Sequence, residues 1–110
     1  MIDRMAIIIV DGSQTRALLD ALRDAGFRAT IIDAVGGFFH EAMVTLIVGL
    51  PQQQVERFLH LVEEWCPRRR RYISLRAGNV FAPTAPMMME VSVGGATVFI
   101  LPVERFVQIG

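Results

Sequence analysis

No lysine occurs anywhere in the 110-residue chain; all eleven cationic side chains are arginine. Eleven acidic residues balance them, so the formal charge is zero. No global field therefore gathers nucleic acid or an anionic membrane surface. Arginine's planar, permanently charged fork suits bidentate phosphate binding, although codon bias alone produces the same complement. The single cysteine, Cys66, excludes an internal disulfide and fits a reducing compartment. The longest apolar run, Met43 to Leu50, is interrupted by Thr45 and Gly49 and falls far below the roughly 18 residues of a membrane helix. The start, MIDRMAIIIVDG, has an acidic flank and too short an apolar run for a signal peptide. A cytoplasmic protein without membrane insertion is expected.

What the chain has in excess is apolar surface. Hydrophobic residues make up 53% of it, and the mean hydropathy is +0.43. Length points to one domain over 1–110, and a domain this small has much surface for its volume. Some apolar surface is therefore expected to be buried between copies of the chain.

Met5 to Val10 reads as a strand buried on both faces and ended by Asp11-Gly12. Asp11 or Ser13 is placed to cap the next helix, and Asp11 with Gln14 has capping-box spacing. Leu18, Leu19, Leu22 and Ala25 recur at helical spacing until Gly26 closes the helix. Phe27 to Gly49, FRATIIDAVGGFFHEAMVTLIVG, reads as two strands flanking a glycine-marked connection. Alternation in the first strand puts Phe27, Ala29 and Ile31 on one face and Arg28, Thr30 and Ile32 on the other. Pro51 opens a second helix with a core stripe of Val55, Phe58, Leu59, Val62, Trp65 and Cys66, and Pro67 ends it. Residues 67–86 read as a long loop with at most a short strand at Tyr72 to Leu75. Met87 to Val93 alternates as a strand, Gly94-Gly95 reads as a tight hairpin, and Ala96 to Leu101 returns. The order is β-α-β-β-α-β with an extra hairpin strand, an α+β, ferredoxin-like sandwich with both helices on one sheet face. Strands one and three are apolar on both faces, so the second sheet face needs a cover, and a homo-oligomer supplies it most simply.

Catalytic chemistry finds little to work with. His40 and His60 lack a nucleophile or metal partner at a recognisable spacing, Cys66 falls on the apolar stripe, and no CxxC, HExxH or Walker-type loop is present. The loop DGSQ offers none of the arginine a ferredoxin-like acylphosphatase needs, and the central strands carry isoleucine and valine instead of RNA-stacking aromatics. No catalytic residue, metal ligand, cofactor or nucleic-acid partner is expected. The group Arg28, Thr30, Gly36, Gly37, Phe38 and Phe39 has two readings. One is a ligand pocket, with cation and hydroxyl for phosphate or ribose, glycines for close approach and phenylalanines for a base. The other is a glycine turn beside a solvated arginine and two core aromatics. Arg68 to Arg71 with Arg76 forms either a solvated charge run or a patch for an acidic partner. Met87 to Met89 reads as strand packing.

GFRAT (Gly26 to Thr30), GGF (Gly36 to Phe38), the strand ending at Gly49 and above all VGGATVFILPVERF (Val93 to Phe106) resemble the P-II-like cyclic-di-AMP receptor proteins nearly end to end. The resemblance implies a P-II-like homotrimer that binds cyclic di-AMP in clefts between neighbours and reshapes its loops to control a target protein. It places Arg28 and Thr30 at the nucleotide, with Arg28 near phosphate. Gly37, Phe38 and Phe39 would wall in a base, Gly49 would permit close approach, and Phe99 and Gln108 would complete the pocket. Gly26 and Met43 stand where the family pattern has asparagines, Ala42 replaces a glycine, and His40-Glu41 displaces a basic residue. Met43 is thus a pocket position without the amide that reads a base edge. The alternative function is a related trimer that binds another adenine nucleotide or none and docks a protein through its arginine-rich loop.

Overall fold

In a computed structural model, which describes residues 1–36, 42–74 and 88–110, the chain forms a four-stranded sheet, two helices and a separate two-stranded ribbon. The order is β1 (Arg4–Asp11), α1 (Gly12–Asp24), β2 (Ala29–Gly36), β3 (Ala42–Leu50), a 3₁₀ turn (Gln52–Gln54) and α2 (Val55–Trp65). Strands β4 (Arg68–Ser74), β5 (Met88–Gly94) and β6 (Ala96–Pro102) follow. The main sheet runs β2-β3-β1-β6, with each neighbouring pair antiparallel. This is the ferredoxin-like arrangement, and its central strands are the two with apolar residues on both faces.

One face is sealed by the helices. Ala6, Ile8 and Val10 of β1 and Leu46, Val48 and Leu50 of β3 are fully or almost fully buried against Leu18, Leu22, Phe58 and Val62. Each of these valine, leucine, isoleucine and phenylalanine side chains contributes roughly 1.5–3 kcal/mol. Asp11 caps α1 through its carboxylate, which accepts from the Ser13 backbone N–H at 2.8 Å. The capping box does not form, because the Gln14 amide turns away and donates to the Pro67 carbonyl at 2.8 Å, leaving its buried oxygen without a partner. Gly26 ends the helix at φ +90°. Its N–H bonds to the Arg23 carbonyl and that of Phe27 to Leu22, the paired bonds of a Schellman motif.

Three expectations change. Arg68–Ser74 is a strand and not loop, because β5 supplies the backbone partners over its whole length, from Arg68↔Gly94 to Ser74↔Met88. Gly94-Gly95 is not a hairpin: β5 pairs with β4 and β6 with β1, so the two glycines, at φ +88° and +77°, turn the chain from the ribbon into the main sheet. Trp65 leaves the core stripe and is 42% exposed, while Phe58, Val62 and Cys66 stay buried. Burial raises the pKa of the Cys66 thiol, so it remains a protonated, weakly nucleophilic core group.

The ribbon is rooted where Gln14, Pro67 and Gly94 meet. A Cβ on Gly94 would stand 2.5 Å from the Pro67 carbonyl oxygen, whereas one on Gly26 would meet nothing within 4 Å. Both positions carry a left-handed φ that costs an L-residue roughly 1–2 kcal/mol, but only Gly94 adds a backbone clash. Gly94→Ala is therefore expected to destabilise the protein distinctly more than Gly26→Ala in urea denaturation, and equal losses would contradict this packing.

Candidate functional site

The end of the sheet where β1 begins and β3 ends is also where β2 begins and β6 ends, as the pairings Arg4↔Leu50, Arg4↔Pro102 and Ala29↔Val48 show. The C-terminal tail folds back over this end, anchored by the Val103 N–H donating to the Asp3 carbonyl at 3.0 Å. Between tail and sheet lies a cavity of about 430 Å³, and four expected ligand residues line it: Arg28 just before β2, Thr30 on β2, Gly49 on β3 and Gln108 in the tail.

Its chemistry is two-sided. Met5, Ile47, Phe106 and Val107 supply apolar walls, with Phe106 51% exposed and free to accept a further contact. Arg28 contributes a forked cation, and among the described residues no carboxylate forms an ion pair with it. The neighbouring cation Arg4 is already engaged, donating to the Asp3 carbonyl at 2.7 Å and lying 3.8 Å from its carboxylate. The Thr30 hydroxyl and Gln108 amide each offer a donor and an acceptor. An anionic head next to a flat apolar body matches such a lining.

Gly49 is covered from within the chain. A Cβ there would approach Ile2 Cγ2 to 3.2 Å, so the N-terminal Ile2 packs where a side chain on β3 would stand. Ile2 precedes the first strand and carries no periodic signal. Phe106 and Val107 were visible only as apolar residues in a tail without regular spacing.

The remaining expected residues lie elsewhere. Phe99 is on β6, the opposite edge of the sheet, in the cross-strand row Thr30↔Ile47↔Ile7↔Phe99. Three strand spacings separate Thr30 from Phe99, roughly 14 Å. Met43 pairs with Asp11 and Val35 at the other end of β3, about 20 Å from Gly49 by strand rise. Gly37, Phe38 and Phe39 lie outside the described residues. Within one chain, then, the structure gathers Arg28, Thr30, Gly49 and Gln108, and it holds Phe99 and Met43 apart from them. Among the described residues, no group of His, Cys, Asp and Glu is arranged to hold a metal ion, and no helix is long and apolar enough to cross a membrane.

A family model described as "Cyclic-di-AMP receptor" matches residues 3–109. A crystal structure of a functionally unknown protein from Pediococcus pentosaceus is 28% identical, covers 99% of both chains and superposes with a TM-score of 0.74. A DUF3240 family protein from Shewanella baltica, 10% identical over 100% of both chains with a TM-score of 0.55, shares the fold.

If Ile2 fills the space over Gly49, Gly49→Val is overpacking of the kind that costs about 1–3 kcal/mol, and Ile2→Ala should relieve part of it. A double-mutant cycle measured by denaturation is expected to give a coupling above about 0.5 kcal/mol; strict additivity would remove the contact.

Proposed function

The chain belongs to the cyclic-di-AMP receptor family, and on that premise we propose that it is a cytoplasmic, homotrimeric P-II-like signalling protein. It binds cyclic di-AMP between subunits and relays binding through its loops to a target protein. The observation that carries this reading is the division of the expected ligand residues between the two edges of one sheet. Arg28 and Thr30 lie by the β2 edge and Phe99 on the β6 edge, about 14 Å apart by strand spacing. A pocket that uses both sets closes when the β6 edge of one copy meets the β2 edge of the next.

The uncovered sheet face supports the same assembly. Phe99 and Leu101 are 51% and 39% exposed, and Ile7 and Ile9 on the same face are only partly covered. An apolar sheet face of this kind is ordinarily buried against protein. Three copies packed through it bury the face and bring unlike edges together. Arg28 then meets a phosphate, Thr30 and Gln108 meet phosphate, ribose or base-edge groups, and Phe99 and the phenylalanines of the β2–β3 connection pack on a base.

Gly26 and Met43 remove two amides that the family pattern uses. Each hydrogen bond lost in a desolvated pocket weakens binding by roughly 10- to 100-fold, so this receptor is expected to bind more weakly than one with both asparagines.

Isothermal titration with cyclic di-AMP, with ATP and cyclic di-GMP as controls, tests the reading. Selective binding at about one ligand per chain is expected. Arg28→Ala should weaken it at least about tenfold, since a charged hydrogen bond is worth about 1.5–3 kcal/mol. No heat with any of the three would overturn the receptor reading, and unchanged affinity in Arg28→Ala would remove that residue from the phosphate.

A further inference from the structure

A second concavity, of about 340 Å³, opens on the other side of Ile2 and Gly49, between the end of α1 and the start of α2. Arg28 and Arg57 both line it, with Gln54 and the open backbone at Gly26, and no acidic residue does. Arg57 is held at three points. Its guanidinium lies 5.2 Å from the centroid of the Phe27 ring, one nitrogen donates to the Ala25 carbonyl at 3.0 Å, and another donates to Gln54 Oε1 at 2.9 Å. Phe27 is itself fixed edge-on against the buried Phe58, with ring centroids 5.6 Å apart.

Two guanidinium groups therefore border one small concavity, and among the described residues neither has a carboxylate partner. Two cations bordering one opening attract an anion together more strongly than either does alone. Arg57 is already oriented, so little side-chain freedom is lost on binding, and most of its N–H donors are uncommitted. With its oxygen taken by Arg57, Gln54 presents its NH₂ as a further donor. Gly26 leaves the approach clear, since a Cβ there would touch nothing within 4 Å.

We propose that this concavity is a phosphoryl-binding subsite in which Arg57, with Arg28 and Gln54, holds an oxyanion. It deepens the receptor reading, because Ile2, Arg28 and Gly49 border both cavities and one ligand can place its base-bearing part in the first and a phosphoryl group in the second. It does not require that reading, since the concavity also fits a free anion. Bidentate recognition by arginine suits the paired oxygens of a phosphoryl group and has no counterpart for a halide.

Titration of the oligomer with inorganic pyrophosphate, followed by calorimetry, tests the subsite, with cyclic di-AMP in a parallel arm. Arg57→Gln is expected to weaken pyrophosphate binding about tenfold or more, and Arg57→Lys by less. Arg23→Gln, a charge-matched control away from the concavity, should leave binding unchanged. Gln54→Glu supplies a carboxylate to the concavity at a position with ordinary helical backbone angles and should also weaken binding about tenfold or more, which guards against a fold defect in the Arg57 variants. Loss of both ligands in Arg57→Gln assigns the subsite to the nucleotide's phosphodiester. Loss of pyrophosphate alone assigns it to a separate anion. Pyrophosphate binding without any cyclic di-AMP binding sinks the receptor reading and leaves the subsite standing. Pyrophosphate that fails to bind at millimolar concentration, or binds equally well to Arg57→Gln, overturns the proposal.

Discussion

Strand β1 is apolar toward both sides, and the described residues fully cover only one of them. Ala6, Ile8 and Val10 disappear beneath the helices, while Met5, Ile7 and Ile9 remain on a face that the described residues leave partly open. The architecture follows from that constraint. Two helices suffice for one face of a four-stranded sheet, and further helical material for the other is absent from the described residues. Part of the apolar surplus seen in the composition therefore lies on that face, Phe99 and Leu101 included, and a surface of that kind is best buried by more protein.

The same geometry explains how a site arises from residues far apart in sequence. The return of the tail across the ends of β1 and β3 brings Gln108, Phe106 and Val107 beside Arg28 and Gly49. The short turn from α1 into β2 puts Phe27 and Arg28 next to the first turns of α2, where Arg57 is fixed. Arg28 thus stands at the meeting point of two cavities. Glycine plays two distinct parts there: Gly26 ends a helix with a left-handed φ, and Gly49 makes room for Ile2.

Much of the sheet was readable from period and punctuation. The runs at Met5 to Val10 and Met43 to Gly49, the Asp11 cap and the Gly26 stop carry local physical signals and lie where those signals put them, whereas Pro51 is an extended residue before the 3₁₀ turn Gln52–Gln54, and α2 begins only at Val55. The ribbon was not readable. Arg68 to Ser74 has four consecutive charges and no alternation, and its strand conformation depends on pairing with β5, a partner close to twenty residues away along the chain. Gly94-Gly95 has a hairpin's composition, but positive φ serves a corner as well as a turn, and only the partners of β5 and β6 distinguish them. Trp65 had the spacing of a core residue at the last turn of α2, yet it is 42% exposed while its neighbour Cys66 takes the buried position there. At the site, Arg28, Thr30, Gly49 and Gln108 were named through family motifs. Ile2 and Arg57 were missed because their roles come from packing between distant segments and leave no local pattern.

The central proposal is that each binding site is shared between two copies of the chain, and complementation between defective chains tests it most directly. Arg28→Ala and Phe99→Ala each disable one side of every site in their own homo-oligomer. When the two chains are co-expressed and co-assembled, some interfaces join an intact β2 edge to an intact β6 edge. The account predicts that the mixed oligomer regains cyclic di-AMP sites of wild-type affinity at a fraction of the interfaces, while each variant alone binds at least about tenfold more weakly. If the mixed assembly binds no better than its parents, the two residues do not meet across an interface, and the shared-site account is wrong.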